Sequence, residues 1–192
     1  QGALPLLRPA YLTLFTATAL LFPGSAYYHL VPSDATLAWD RLPMTIAFMA
    51  VFAIIIGEHI SPRLGRCLLL PLLLFGALSV LYWRATDSGN GGDLRLYVVV
   101  QYLPMLLIPA IVLMYRSALE PTSYLWALLG SYGLAKALEF LDAPVLRITG
   151  FVSGHTLKHL AAALGVAFLL LGFMRRRAAP NGASSPIPTA NP

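Results

Sequence analysis

The chain of 192 residues has few charged residues, and this scarcity decides its class. Asp, Glu, Lys and Arg make up 11% of the sequence and hydrophobic residues make up 58%, whereas a soluble domain carries about 25% charged residues. The mean hydropathy of +0.72 points in the same direction. The composition therefore excludes an ordinary soluble globular domain and predicts a protein that crosses the membrane several times.

Cysteine is almost absent, since Cys67 is the only one in the sequence. A single cysteine excludes an intrachain disulfide framework and a cysteine-rich zinc site. Any metal site must therefore use histidine and carboxylate ligands. The net charge of +5 does not indicate a nucleic-acid partner, because the basic residues lie between apolar segments rather than in a patch or stripe.

Six apolar segments are long enough to span a bilayer, which requires roughly 20 mostly apolar residues. They cover approximately residues 9–29, 41–57, 64–83, 94–115, 122–140 and 154–174. The sequence therefore predicts an all-α, polytopic transmembrane bundle of six helices that occupies residues 1–177. Residues 178–192, rich in Pro, Ala, Ser and Asn, predict a disordered tail. A rival interpretation takes the first segment as a secretory signal with a cleavage site at Gly24-Ser25-Ala26.

The distribution of arginine predicts the orientation of the chain in the membrane. The side that holds the chain start receives seven arginines, including the run from Arg175 to Arg177, and the opposite side receives four. By the positive-inside rule the first side is cytoplasmic. The C-terminus is therefore expected in the cytoplasm, and the second side is periplasmic, extracellular or lumenal.

Four polar residues at segment ends fall on that second side. They are His29, Asp40, His155 and His159, and Ser25 lies one turn before His29. Ionisable residues inside a membrane are costly, so they are functional candidates by default. His155 and His159 are four residues apart and share one helix face. This pair can hold one metal ion, and His29 would complete a three-histidine site.

Three protein ligands and an open position for water are typical of zinc hydrolases. Zinc lowers the pKa of a bound water to about 7, which makes hydroxide available at neutral pH. Asp40 is then the candidate general base. Ser25 is the candidate donor of a hydrogen bond to the oxyanion of a tetrahedral intermediate, or to the substrate carbonyl.

Each of these residues also has a structural interpretation. His29 alone is typical of an interfacial residue, and Asp40 alone is typical of a helix N-cap. Ser25 alone is typical of a serine that bonds back to the backbone near a proline kink. The histidine pair favours the metal site more strongly, because apolar helices rarely carry two histidines on one stripe.

Other polar residues are assigned no part in the chemistry. His59 is interpreted as a solvated loop residue, away from the other histidines. Lys158 is expected to pair with Glu139 or Asp142, or to extend to the interface. Lys136, in the fifth segment, is the residue that favours a transporter instead.

The assembled motifs resemble those of the alkaline ceramidases, a branch of the superfamily that includes the adiponectin and progestin receptors and the haemolysin III-like proteins. The resemblance rests on three strings: Gly24-Ser-Ala-Tyr-Tyr-His29, Asp40-Arg-Leu-Pro-Met44 and His155-Thr-Leu-Lys-His159. The match runs from the first string to the last and so covers most of the chain. The spacing from the first histidine to the aspartate and the Asp-x-Leu-Pro-Met pattern are similar to the ceramidase branch in particular.

The resemblance implies that His29, His155 and His159 hold zinc and that Asp40 and Ser25 assist a metal-bound water. It implies hydrolysis of the amide bond of a ceramide-like lipid, giving a sphingoid base and a fatty acid. The family has seven helices, so it also implies a further helix before the first residue. The compact chain is similar to a bacterial member, which implies an inner-membrane protein with its site near the periplasmic side.

Arg41 stands where the eukaryotic members usually carry glutamate, which changes the contacts expected for the lipid head group. Two interpretations from other classes stay open. One is a membrane receptor or channel-like protein whose zinc is structural. The other is a transporter, which predicts ionisable residues at several depths rather than at one side of the membrane.

Overall fold

The computed structural model describes residues 2–89 and 91–179, and most of these residues are helical. Within them seven α-helices follow one another: α1 (Arg8–Leu30), α2 (Asp34–His59), α3 (Pro62–Ala85), α4 (Arg95–Met114), α5 (Ser123–Phe140), α6 (Asp142–Thr149) and α7 (Gly154–Arg175). Two strands of two residues, β1 (Leu119–Glu120) and β2 (Arg177–Ala178), form a small antiparallel sheet. The predicted all-α class is confirmed, whereas the predicted count of six helices is not.

Five helices in the described part of the chain are long and apolar enough to cross a membrane, which indicates an integral membrane protein. They are α1 with the 3-10 turn before it (Pro5–Leu30), α2, α3, α4 and α7. The predicted fifth span forms α5, but α5 is not among them, because Ser, Tyr and Gly and the charged Lys136 and Glu139 dilute its apolar residues. α6 was not predicted, since a helix of eight residues leaves no clear hydropathy signal.

α2 begins at Asp34 rather than near residue 41, where its apolar stretch starts. Ser33 is the N-cap: its hydroxyl accepts a hydrogen bond from the Thr36 N–H at 3.2 Å, and the Thr36 hydroxyl oxygen accepts one from the Ser33 N–H at 3.1 Å. These reciprocal bonds form a capping box. The interpretation of Asp40 as the N-cap is therefore wrong, since Asp40 lies inside the helix, in its second turn.

The helices form two compact units, and the first of them is Leu4–Ser117. In this unit α1 packs along α2, α2 packs against α3 and α4, and α3 contacts α4. The second half of α2 is buried almost all round, through Met49, Ala50, Ala53, Ile54, Ile55 and Ile56. A helix that is apolar on every side is typical of a central position, and α2 is the central helix of this unit.

The second unit contains residues 2–3 and 118–179. Here α5 packs along α7, and the short α6 contacts both helices. β1 and β2 pair through Leu119 with Ala178 and through Glu120 with Arg177. The predicted disordered tail therefore begins with a residue that is paired in a strand, Ala178, and residues 180–192 lie outside the described residues.

Candidate metal centre

The histidine pair lies at the start of α7, in the second unit. His155 is in the first turn of the helix and His159 is in the second. Their Nε2 atoms are 3.2 Å apart, and their ring centroids are 5.0 Å apart. Two nitrogens bound to one tetrahedral zinc at about 2.05 Å lie about 3.3 Å from each other. The observed separation therefore fits two ligands of one zinc ion.

His29 lies near the C-terminal end of α1, one residue before the last. It belongs to the first unit, whereas His155 and His159 belong to the second, and its place as the third ligand stays a prediction. Two imidazoles at the spacing of His155 and His159 can share a metal ion. Imidazole suits zinc, copper, iron and nickel alike, so the identity of the metal as zinc also stays a prediction.

Asp142 fixes the backbone that carries the histidine pair. Its Oδ1 accepts a hydrogen bond from the His155 N–H at 2.7 Å. A carboxylate at a helix N-terminus satisfies an otherwise unpaired N–H and complements the helix dipole. Gly154 permits this approach, because a Cβ there would lie 2.2 Å from the carbonyl oxygen of Leu138 and 2.8 Å from the Asp142 Cα. Sequence reasoning missed this role of Asp142, since it depends on how α6 turns back onto α7.

A three-residue ion-pair network lies next to the histidine pair in the second unit. Glu139 receives Lys158 at 2.8 Å and Lys136 at 2.6 Å. Of the alternatives predicted for Lys158, the pairing with Glu139 is therefore confirmed. Lys136, the residue that favoured a transporter, contacts the same carboxylate one turn further along α5, so its charge is balanced locally.

Ser25 and Asp40 lie in the first unit, where α1 crosses α2. The crossing is close at Gly24, since a Cβ there would lie 2.3 Å from the carbonyl oxygen of Trp39 and 3.5 Å from the Cα of Asp40. The backbone beside Ser25 therefore contacts the backbone of α2 at Asp40, and both side chains are half-buried. This geometry brings the two predicted catalytic residues into one neighbourhood, and their roles stay predictions.

An apolar cavity of about 600 Å³ opens between α1 and α2 in the same unit. Its walls include Leu20 and Pro23 of α1 and Leu42 of α2. Gly24 and Trp39, which precede Ser25 and Asp40 in the sequence, also line it. Cavities of this size with mostly apolar walls are typical of small-molecule sites, and this one has room for an apolar chain that ends beside Ser25 and Asp40.

The opposite end of α2 carries a buried polar cluster that the sequence did not predict. Glu58 and His59 are 2% and 6% exposed. The Tyr11 hydroxyl donates to Glu58 Oε1 at 2.6 Å, and Nδ1 of His59 lies 3.2 Å from the carbonyl oxygen of Ile55. The interpretation of His59 as a solvated loop residue is therefore wrong, because it is the buried last residue of α2.

No family model matches the chain, and neither a curated protein nor a solved structure matches it significantly. The assignment of a function therefore depends on the residues and their geometry.

Proposed function

We propose that this protein is an intramembrane, zinc-dependent amide hydrolase that cleaves ceramide-like lipids to a sphingoid base and a fatty acid. The observation that carries the proposal is the pair of His155 and His159, whose Nε2 atoms are 3.2 Å apart, with His29 as the predicted third ligand. The resemblance of the surrounding strings to the alkaline ceramidases supports the same reaction. The five membrane-length helices agree with a substrate that resides in the bilayer.

The three imidazoles would hold the ion and leave one position of a tetrahedral site open, as catalytic zinc sites do. Bound there, zinc would polarise the scissile carbonyl and lower the pKa of a coordinated water. Asp142 would support this arrangement, because it fixes the position of the His155 backbone from which that ring extends.

Asp40 and Ser25 would carry the remaining steps of the hydrolysis. Amide cleavage needs a base that takes a proton from the attacking water and returns it to the leaving nitrogen. We assign this part to Asp40. The Ser25 hydroxyl would donate a hydrogen bond to the carbonyl oxygen as negative charge develops on it. The close crossing of α1 and α2 at Gly24 supports a shared task for the two residues.

The apolar cavity between α1 and α2 is our candidate for the acyl-chain site. Its walls are mostly apolar, so a fatty chain that enters it from the bilayer would stay in apolar surroundings. The arginine count supports an inner-membrane orientation with a cytoplasmic C-terminus and a site towards the periplasm.

The proposal is tested by hydrolysis of a fluorescent ceramide by the purified protein. We expect about one zinc per chain, loss of turnover on chelation, and recovery when zinc is restored. The matched control is His59→Gln, which removes a histidine outside the group and should leave the zinc content unchanged. Stoichiometric zinc without hydrolysis of any lipid amide would instead favour the receptor-like alternative with a structural metal.

A further inference from the structure

Arg41 follows Asp40 on α2 and packs against two aromatic rings within the first unit. Its Cζ lies 4.2 Å from the ring centroid of Trp83 and 4.8 Å from that of Tyr97. Both rings are buried, and the Tyr97 hydroxyl donates to Sδ of Met44 at 3.5 Å. Trp83 belongs to α3 and Tyr97 to α4. The guanidinium is therefore held by cation–π contacts with two other helices.

The rings attract the cation, but among the described residues one of its hydrogen-bonding nitrogens is left without an acceptor. Nη1 of Arg41 is buried and has no hydrogen-bond partner among residues 2–89 and 91–179. A guanidinium has five N–H donors in a fixed planar fork, and an aromatic face offers no lone pair to them. A buried donor without an acceptor is costly, so this edge of Arg41 is suited to an acceptor that arrives with a ligand.

Two other arginines of the first unit have the acceptor that Arg41 lacks. Arg84 donates to Asp87 at 2.7 Å, and Arg95 donates to Asp93 at 2.6 Å. In the described part of the chain no ion pair includes Arg41. Of these three arginines, Arg41 is therefore the one whose charge is not already balanced by a neighbouring carboxylate.

The position of Arg41 around α2 places it on the far side of Asp40 from the cavity. Successive residues of a helix are about 100° apart around its axis. The residues of α2 that line the cavity are Trp39, Leu42, Pro43 and Ile46. Asp40 therefore lies about 110° and Arg41 about 150° from their mean direction, and Arg41 packs against α3 and α4. A lipid that follows the surface of α2 from the cavity past Asp40 would therefore bring its head group to Arg41.

We propose that Arg41 determines substrate specificity by binding an oxyanion on the head group, so that the preferred substrate is an anionic ceramide-like lipid rather than a neutral one. The inference rests on the proposed amide hydrolysis, since that reaction sets where the head group lies. A guanidinium fork binds phosphate or carboxylate through two parallel hydrogen bonds. Its fixed position on Trp83 and Tyr97 reduces the conformational entropy lost on binding.

The first test measures binding to the metal-free protein in a neutral detergent, so that it does not depend on hydrolysis. The probes are dodecyl phosphate, dodecanol and inorganic phosphate. Their binding is measured by the change in tryptophan fluorescence, because Trp83 contacts Arg41. We expect dodecyl phosphate to bind about tenfold or more tightly than dodecanol. Arg41→Gln should abolish this preference, and Arg41→Lys, which keeps the charge without the fork, should retain part of it.

The matched control is Arg84→Gln, which removes an arginine of the same unit that already has a carboxylate partner, and it should keep the full preference. An unchanged preference in Arg41→Gln, or an equal loss in Arg84→Gln, would overturn the proposal. Inorganic phosphate that binds as tightly as dodecyl phosphate would also overturn it, because the site would then belong to a free ion. Should Arg41→Gln not fold, a full preference in Arg41→Lys would count against the proposal in the same way.

The second test uses the zinc-loaded protein and compares a phosphorylated ceramide with neutral ceramide. Arg41→Gln should raise KM for the phosphorylated lipid about tenfold or more and leave KM for neutral ceramide unchanged. Binding selectivity without any turnover would refute only the proposed hydrolysis. Turnover without charge selectivity would refute only the assignment of Arg41.

Discussion

The helix pair α1–α2 carries a hydroxyl, an acid and a histidine at each of its two ends, in very different surroundings. At one end these groups are Ser25, Asp40 and His29; at the other they are Tyr11, Glu58 and His59. The first set is half-buried or exposed and lies beside an apolar cavity, whereas the second set is buried. The same three kinds of side chain are thus accessible to a ligand at one end of the helix pair and enclosed by the protein at the other.

This difference indicates why residue type alone does not identify a functional site. The Tyr11 hydroxyl donates a hydrogen bond to Glu58 Oε1 at 2.6 Å within the core of the first unit, and buried polar groups are retained when they satisfy one another. Asp40 is only half-buried and lies where the backbones of α1 and α2 come close together at Gly24. Accessibility therefore separates the candidate catalytic end from the end that holds the helices together.

The largest effect is expected from removal of one metal ligand. His155→Ala or His159→Ala should abolish both zinc binding and ceramide hydrolysis, because two remaining imidazoles hold zinc too weakly. Elemental analysis and a fluorescent ceramide assay measure the two effects. If either variant kept one zinc per chain, the pair would not be the ligands.

A smaller effect, confined to rate, is expected at Asp40. Asp40→Asn should retain zinc and lower kcat by roughly 10²- to 10⁴-fold, the usual contribution of a general base. Glu58→Gln changes the acid at the closed end and should leave kcat unchanged in the folded protein. Normal activity in Asp40→Asn would refute the assignment of the base.

Ser25→Ala should have a smaller effect on rate. Loss of one donor to a developing oxyanion is expected to lower kcat by about 10²- to 10³-fold, with the zinc content unchanged. Steady-state kinetics and metal analysis of the same preparation measure both quantities. Loss of zinc in this variant would mean that Ser25 supports the metal site rather than the transition state.

The smallest effect on activity is expected at Tyr11, at the closed end. Tyr11→Phe removes the hydroxyl that donates a hydrogen bond to Glu58, and it should lower the free energy of unfolding by about 1–3 kcal/mol. The kinetic constants for ceramide should not change. Thermal unfolding in detergent, together with the ceramide assay, separates the two outcomes, and a loss of kcat at full stability would contradict the structural role.

Local patterns were sufficient to predict the helical class and the spacing of the histidine pair. Hydropathy located four spanning segments near their observed positions, and it failed where a helix boundary depends on polar residues. The capping box of Ser33 and Thr36 starts α2 well before its apolar stretch, and the polar and charged residues of α5 remove it from the spans.

The contacts that sequence reasoning missed join residues far apart in the chain. Asp142 reaches the His155 N–H because α6 turns back onto α7, and Tyr11 and Glu58 meet across 47 residues. No periodicity connects such residues, since the pairing depends on how whole helices pack. The stacking of Arg41 between Trp83 and Tyr97 belongs to the same class of contact.

The crossing at Gly24 has one more consequence for the candidate active site. A methyl group at position 24 would lie only 2.3 Å from the carbonyl oxygen of Trp39. This clash would force α1 and α2 apart. The separation between Ser25 and Asp40, the two predicted catalytic residues, therefore depends on the hydrogen atom that Gly24 carries in place of a side chain. Any reaction at this site therefore requires glycine at position 24, because a larger side chain would move the two helices apart.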